Sequence, residues 1–219
     1  MQETIIVTGS NGQLGQSIVT QLLEEGYKVI GIDKKHSSLD TSGYSKFEVD
    51  ITNEKEISVF FDGLKNDKNI VGLINNAGIA VFSAFEERTY SEIKFVMDVN
   101  IAAVILMTQN FMKTFGDYPT SKRVVNIGSI YGKVAPDLTI YGDTPRVSSE
   151  IYGMTKAAVI NFTQYLASYY RGTNARFNCV SPGGIEANQG DFFKRNYSLK
   201  VPLGRMADVS EIAAVICFF

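Results

Sequence analysis

Cysteine and histidine are scarce in this chain of 219 residues, which has two of the first and one of the second. Cys179 and Cys217 both sit inside apolar runs and read as small, reduced core residues. A disulfide scaffold is not needed at this size. With His36 as the one histidine and no Cys-x-x-Cys spacing, no metal site is expected. Charge of one sign is also lacking: the formal net charge of -2 gives no broad footprint for nucleic acid. Long apolar runs are missing too. The longest, residues 101–107, falls short of the roughly 20 residues that span a bilayer, so no membrane partner is expected. The start, Met1-Gln2-Glu3-Thr4, has no basic segment leading into an apolar one, and no signal peptide is expected. These absences leave a cytoplasmic globular protein, without internal repeats or low-complexity tracts.

The rest of the composition is that of a folded domain, 45% hydrophobic and 20% charged. The length suits one domain over residues 1–219 with one sizeable core. Apolar, β-branched runs at 4–8, 28–32, 46–49, 71–75, 123–127 and 175–180 alternate with helix-patterned stretches that start near Gln13, Glu54, Ser91, Glu150 and Ser210. That alternation predicts an α/β fold, a doubly wound parallel sheet covered on both faces. Residues 91–115 are apolar on more than one side and should be buried between the sheet and another body, such as a partner subunit. Two irregular stretches, 131–149 and 182–203, are long enough to be functional loops.

The first strand runs into Thr8-Gly9-Ser10-Asn11-Gly12-Gln13-Leu14-Gly15, and a helix follows. A dinucleotide diphosphate needs such a turn: outward-pointing N–H groups at a helix start, and no side chains where the backbone comes close. Gly9 suits the turn, Gly12 the close approach and Gly15 tight helix packing. An acid, Asp33, ends the second strand, where a carboxylate accepts hydrogen bonds from ribose hydroxyls and repels a 2′-phosphate. NAD is therefore favoured over NADP. Lys34 and Lys35 read either as a solvated loop or as an attraction for that phosphate.

Further along stand Asn75-Asn76-Ala77-Gly78 after the fourth strand, Ser129 after the fifth, Tyr152-Gly153-Met154-Thr155-Lys156, and Pro182-Gly183 after the sixth. Tyr152 and Lys156 share a helix face. A nearby ammonium lowers a phenol from its ordinary pKa of about 10, so Tyr152 suits proton transfer to or from a substrate oxygen. Tyr141 stands at a tempting distance from Ser129, but the residue four places on is Pro145, which carries no charge.

Taken in this order, the motifs make the chain resemble the short-chain dehydrogenase/reductase family over nearly its whole length. The resemblance implies a Rossmann-type sheet of order 3-2-1-4-5-6, with the family's usual seventh strand missing because the chain stops within residues 212–219. It implies Ser129, Tyr152, Lys156 and Asn100 as catalytic residues, with Ser129 holding the substrate oxygen, Lys156 the nicotinamide ribose and Asn100 a water. It implies Gly9, Asn11, Gly12, Leu14, Gly15, Asp33, Asp50, Ile51, Asn76, Ala77, Gly78, Pro182, Gly183 and Ile185, with Tyr152 and Lys156, as cofactor contacts. Asp50 would meet the adenine amino group, although a helix-capping role suits it nearly as well. Ile185 would present its backbone to the nicotinamide amide, while Ala187 replaces a frequent threonine. A homodimer or homotetramer through helices like 91–115 and 151–170 is implied, with a small-molecule substrate.

The spacing of the first two glycines matches the family's longer-chain branch. That keeps a nucleotide-sugar epimerase or dehydratase open, against which the chain length argues. A non-catalytic NAD-sensing protein is the third reading, against which the retained tyrosine and lysine argue. Residues 182–203 resemble the family's mobile lid. Phe192 and Phe193 could close over the site, and Lys194, Arg195 and Lys200 either meet an anionic substrate group or form a solvated surface. Residues 129–136, 188–189 and 202–206 are similar to bacterial oxidoreductases of surface-glycan and nonulosonic-acid pathways, which would make the substrate a sugar or sugar phosphate.

Overall fold

The computed structural model describes residues 2–35, 41–144 and 147–219. His36 and Pro145, on which two of the expectations above rest, lie outside the described residues. Six strands, β1 (Thr4–Thr8), β2 (Lys28–Asp33), β3 (Tyr44–Glu48), β4 (Ile70–Asn75), β5 (Lys122–Ile127) and β6 (Ala175–Val180), pair in parallel in the order β3-β2-β1-β4-β5-β6. This is the doubly wound α/β order that the resemblance implied. Helices α1 (Gln13–Glu24), α2 (Glu54–Leu64), α3 (Tyr90–Met97), α4 (Ala103–Phe115), α5 (Glu150–Tyr169), α6 (Asp191–Ser198) and α7 (Val209–Phe218) complete it.

The two faces of the sheet follow from side-chain alternation along each strand. In β1, Ile5 and Val7 join Ile18, Val19 and Leu22 of α1 and Ile216 of α7, whereas Ile6 joins Ile57 and Phe61 of α2 and Met107 and Phe111 of α4. On the second face the rings of Phe61 and Phe115 lie 6.2 Å apart and those of Phe111 and Phe115 5.5 Å. Such pairs add about 0.5–1.5 kcal/mol to the area they bury.

The structure corrects several boundaries. β3 starts at Tyr44, two residues before the expected run, because Tyr44 is buried under Gly31 of β2 and pairs with Val29. The 91–115 helix starts at Tyr90, where Thr89 and Glu92 form a reciprocal capping box. It is then interrupted by a π turn, Asp98–Ala102, that carries Asn100. By length and hydropathy Tyr90–Phe115 would suffice to cross a membrane, yet half of the apolar window is buried in the fold. Its burial against the sheet accounts for the apolar character.

The stretch 182–203, read as irregular, contains α6. Its apolar residues are few, and the pattern is short: Phe193 and Tyr197, four apart, face inward. The stretch 131–149 contains two short 3-10 turns, Ile130–Gly132 and Leu138–Tyr141. Around Ile140, Tyr197 and Met206 the two stretches share a small apolar cluster of their own.

Candidate active site

The strand order reverses between β1 and β4, and a crevice of about 480 Å³ opens beyond the C-terminal ends of the strands there. Its size lies within the range of small-molecule sites. Gly9, Gly12, Leu14 and Gly15 line one side. Gly9 adopts φ +65°, and a Cβ on it would lie 2.8 Å from Ala77 Cα. A Cβ on Gly15 would lie 2.1 Å from the Gly9 carbonyl oxygen, so α1 starts in direct contact with the turn. Gly12 has only an ordinary 3.4 Å neighbour and is open toward the crevice. Asn76 closes the turn from behind, its amide donating to the carbonyls of Thr8 (3.1 Å) and Gly9 (3.0 Å). Asn76, Ala77 and Gly78 then form the next stretch of wall.

At the far end, Asp33 and Ile51 line the crevice. Asn11 does not; it holds the acid instead. Its backbone N–H donates to Asp33 Oδ2 (3.1 Å) and its side chain donates to the Lys35 carbonyl. Asp50 is also outside the lining. Its carboxylate accepts from the Thr52 N–H (2.8 Å) and hydroxyl (2.6 Å) and pairs with Lys34 Nζ at 2.9 Å. Those bonds outweigh partial burial and hold its carboxyl below the ordinary value. The cap of α2 is Asn53, not Asp50.

On the opposite side stand Ser129, Tyr152, Lys156, Pro182, Gly183 and Ile185. The turn after Ser129 lies flat on α5 because two glycines permit it. A Cβ on Gly132 would be 2.7 Å from the Lys156 carbonyl carbon, and one on Gly153 2.9 Å from the Tyr131 carbonyl oxygen. This contact sets the Ser129 hydroxyl beside the Tyr152 phenol, on whose ionisation it acts. Lys156 Nζ lies 5.7 Å from the Tyr152 ring centre and donates to the Ile127 carbonyl at 2.6 Å.

The electrostatics differ from the reading by spacing alone. Burial raises the Tyr152 phenol above its ordinary value, and the Ser129 hydroxyl opposes this. Burial lowers the Lys156 ammonium to about 8. One ammonium N–H goes to the Ile127 carbonyl, and burial remains the larger influence on the phenol.

Asn100 is buried on the π turn. Its Oδ1 accepts from the Ile79 N–H (2.9 Å), and its amide donates to the Ile79 carbonyl (2.9 Å) and Thr155 Oγ1 (3.1 Å). Both amide hydrogens are therefore committed to protein. Thr155 donates in turn to the Tyr152 carbonyl (2.8 Å), so Asn100 braces the catalytic turn of α5 against the 78–79 wall. Sequence reading missed Thr155. It also missed Arg88, whose buried guanidinium pairs with Glu150 at the start of α5 (3.1 Å). Neither spacing is local, and no periodicity announces them. Missed as well were Gln13, Ile79, Val99 and Gly128, each beside a motif residue and each lining the crevice.

The substrate side is covered by α6 and the Leu138–Tyr141 turn. Tyr197 Oη accepts from the Gly184 N–H at 2.5 Å. Phe193 packs between Tyr141 (5.1 Å) and Tyr197 (5.9 Å), while Phe192 lies exposed against Gly142. Tyr141, set aside as a catalytic residue, stands close enough to Tyr131 to help raise that phenol, after burial. Lys194 pairs with Glu186 (3.0 Å) and Lys200 with Asp137 (2.9 Å), so these two ammonium groups tie the cover together. Among the described residues no group of three or more His, Cys, Asp or Glu side chains is arranged to hold a metal.

The glycine turn that a Cβ would fill, the acid at the end of β2 and the Ser–Tyr–Lys cluster fit a nicotinamide dinucleotide. Comparison with known proteins agrees. Residues 3–193 match the family model described as short chain dehydrogenase. The chain belongs to the short-chain dehydrogenase family and is an NAD(P)-dependent oxidoreductase. A crystal structure of a short chain dehydrogenase from Leptospira borgpetersenii with bound NAD+ is 39% identical, with a TM-score of 0.94, over 100% of this chain and 85% of that one. The 3-oxoacyl-(acyl-carrier-protein) reductase of Aquifex aeolicus is 26% identical over 98% of this chain and 79% of its own length. The post-translational flagellin modification protein A of Campylobacter coli is 26% identical over 98% of this chain and 89% of its own length.

Proposed function

We propose that this protein interconverts a secondary alcohol and a carbonyl on a small polar substrate, a sugar or sugar phosphate destined for surface glycans, using NAD. The observation that carries the chemistry is the convergence of Ser129, Tyr152 and Lys156 at one wall of the crevice. When bound, the nicotinamide accepts or donates the hydride and, oxidised, adds a positive charge beside the phenol. Ser129 holds the substrate oxygen by a hydrogen bond. Tyr152 takes the alcohol proton in oxidation and returns it to the carbonyl oxygen in reduction. Lys156 lends its charge to the phenolate and binds the nicotinamide ribose. Asn100 acts through position, through Thr155 and the 78–79 backbone.

The preference for NAD is supported by Asp33, whose carboxylate is held at the crevice by the N–H groups of Asn11 (3.1 Å) and Lys35 (3.2 Å). Lys34, one of two cations that could meet a 2′-phosphate, is engaged by Asp50. The NAD+ in the Leptospira structure points the same way. The sugar reading is supported by the name of the flagellin-modification relative. A cytoplasmic location is part of this reading, since it would give the enzyme a nicotinamide pool. Exposed apolar side chains on α5, Met154 and the stacked pair Tyr165 and Tyr169, suit a homodimer or homotetramer.

The test is a panel of sugars, sugar phosphates and polyols with NAD and NADP, followed by nicotinamide absorbance. On any active substrate, Tyr152→Phe is expected to reduce turnover about 10²–10⁴-fold, the worth of a positioned proton donor, with cofactor affinity retained. Undiminished turnover would remove Tyr152 from the mechanism.

A further inference from the structure

Gln13 is the first residue of α1 and lines the crevice, yet its side chain does not rest on its own helix. Its Nε2 donates to the carbonyl of Glu186 at 2.8 Å, joining residues 173 positions apart. Glu186 follows Ile185 on the opposite wall, so this one bond runs from the phosphate turn to the loop after β6. Three features make the bond more than incidental. Gln13 is exposed, and an ordered exposed glutamine gives up rotamer freedom that a single neutral hydrogen bond scarcely repays. The fold does not call for it, because Gly12 caps α1 by its backbone and Asn76 already secures the turn. The carbonyl it reaches belongs to a residue fastened on both sides: the Glu186 N–H donates to Ala207 (2.8 Å), and the Glu186 carboxylate pairs with Lys194 of α6 (3.0 Å).

We propose that Gln13 is a clasp for the dinucleotide, closing the crevice between the phosphate turn and the loop that carries the substrate cover. The carbonyl at 186 is its keeper, and Lys194 links that keeper to α6. Cofactor retention and cover position are then mechanically joined through three side chains, Gln13, Glu186 and Lys194. The residue is a positioning one. It acts on how long the dinucleotide stays, not on proton or hydride transfer. The inference needs only that the crevice binds the dinucleotide; it does not depend on the roles of Tyr152, Ser129 or the sugar reading.

The experiment is dissociation of NADH from the full-length protein, read by stopped-flow nicotinamide fluorescence during displacement by excess NAD+. It is run on the wild type, Gln13→Ala, Gln13→Leu and Lys194→Ala, with melting of each apoprotein as a control. Gln13→Ala and Gln13→Leu are expected to release NADH about fivefold faster, within the span of one neutral hydrogen bond, with association rates and apoprotein melting unchanged. Lys194→Ala should accelerate release by a smaller factor. Release at the wild-type rate in both Gln13 variants would overturn the proposal. Slower release would do so too, because the bond would then be an obstacle to exit. Since the readout is release and not turnover, failure here leaves the catalytic reading untouched, and an inactive Tyr152→Phe variant leaves this one untouched.

Discussion

The floor of the crevice and its cover are built in opposite ways. The floor is close-packed main chain: Gly15 meets the Gly9 carbonyl and Gly9 meets Ala77, with the Asn76 side chain binding two of the turn's carbonyls. The cover is held through side chains: Phe193 between two tyrosines, Tyr197 on the Gly184 N–H, and Lys200 on Asp137. A contact between backbones leaves no room for another residue type, whereas contacts between side chains can be exchanged. The difference teaches where each kind of specificity resides. The cofactor is held by shape that the fold itself imposes, and the substrate by a surface free to vary on the same fold.

The largest effect that would test this contrast is on the floor. Gly15→Ala places a methyl carbon 2.1 Å from a carbonyl oxygen that cannot step aside. Overpacking of this kind is expected to cost about 2–3 kcal/mol, seen as a lower urea midpoint together with loss of NADH binding. Wild-type stability would show that the turn yields, and the contrast would fail.

An intermediate effect belongs to Lys156, where floor and cover meet. Its ammonium is held at about 8 by burial, against 10.5 for the ordinary side chain. Below the folded value the group is charged in both states, and its burial costs stability. Between the two values the unfolded chain binds a proton that the folded one does not, so stability rises as pH climbs from about 8 toward 10.5. Lys156→Met is expected to abolish turnover, raise Tm near neutral pH by about 3 °C, which is about 1 kcal/mol in a chain of this size, and flatten the alkaline rise. Thermal melts across that pH range decide it. A lower Tm at neutral pH would mean that the bond to the Ile127 carbonyl outweighs the desolvation.

The smallest global effect is predicted for the cover. Tyr197→Phe removes the acceptor of the Gly184 N–H and should change overall stability by no more than about 1 kcal/mol. Amide hydrogen exchange is nonetheless expected to quicken at Gly184 and along α6, with the rest of the sheet unaffected. Equal quickening in β1 and β4 would make floor and cover one cooperative unit.

The parts of the site that the sequence disclosed share a property. Gly9, Gly15, Asn76, Ser129, Tyr152 and Lys156 each sit at a strand end or within one helical turn of a partner, so spacing along the chain equals proximity in space. Asp50 shows the limit of that equivalence. It stands at the right strand end, but Lys34 and Thr52 occupy its carboxylate and the lining passes to its neighbour Ile51. Asn100 likewise lies where it was looked for, and its side-chain amide is committed to Ile79 and Thr155.

By itself, the sequence determined the alternation of strands and helices, the turns and strand ends at which chemistry happens and the residue types available there. Period-two burial, glycine where a Cβ cannot fit and a four-residue helical repeat are local rules that any chain obeys before it folds. Only the tertiary structure decided which side chains are engaged across the fold. Gln13 reaches a carbonyl 173 residues away, Arg88 an acid 62 away, and α6 exists because an aromatic cluster from a distant turn receives it. Such contacts form when the sheet has already brought its loops to one edge, and no spacing along the chain records that distance.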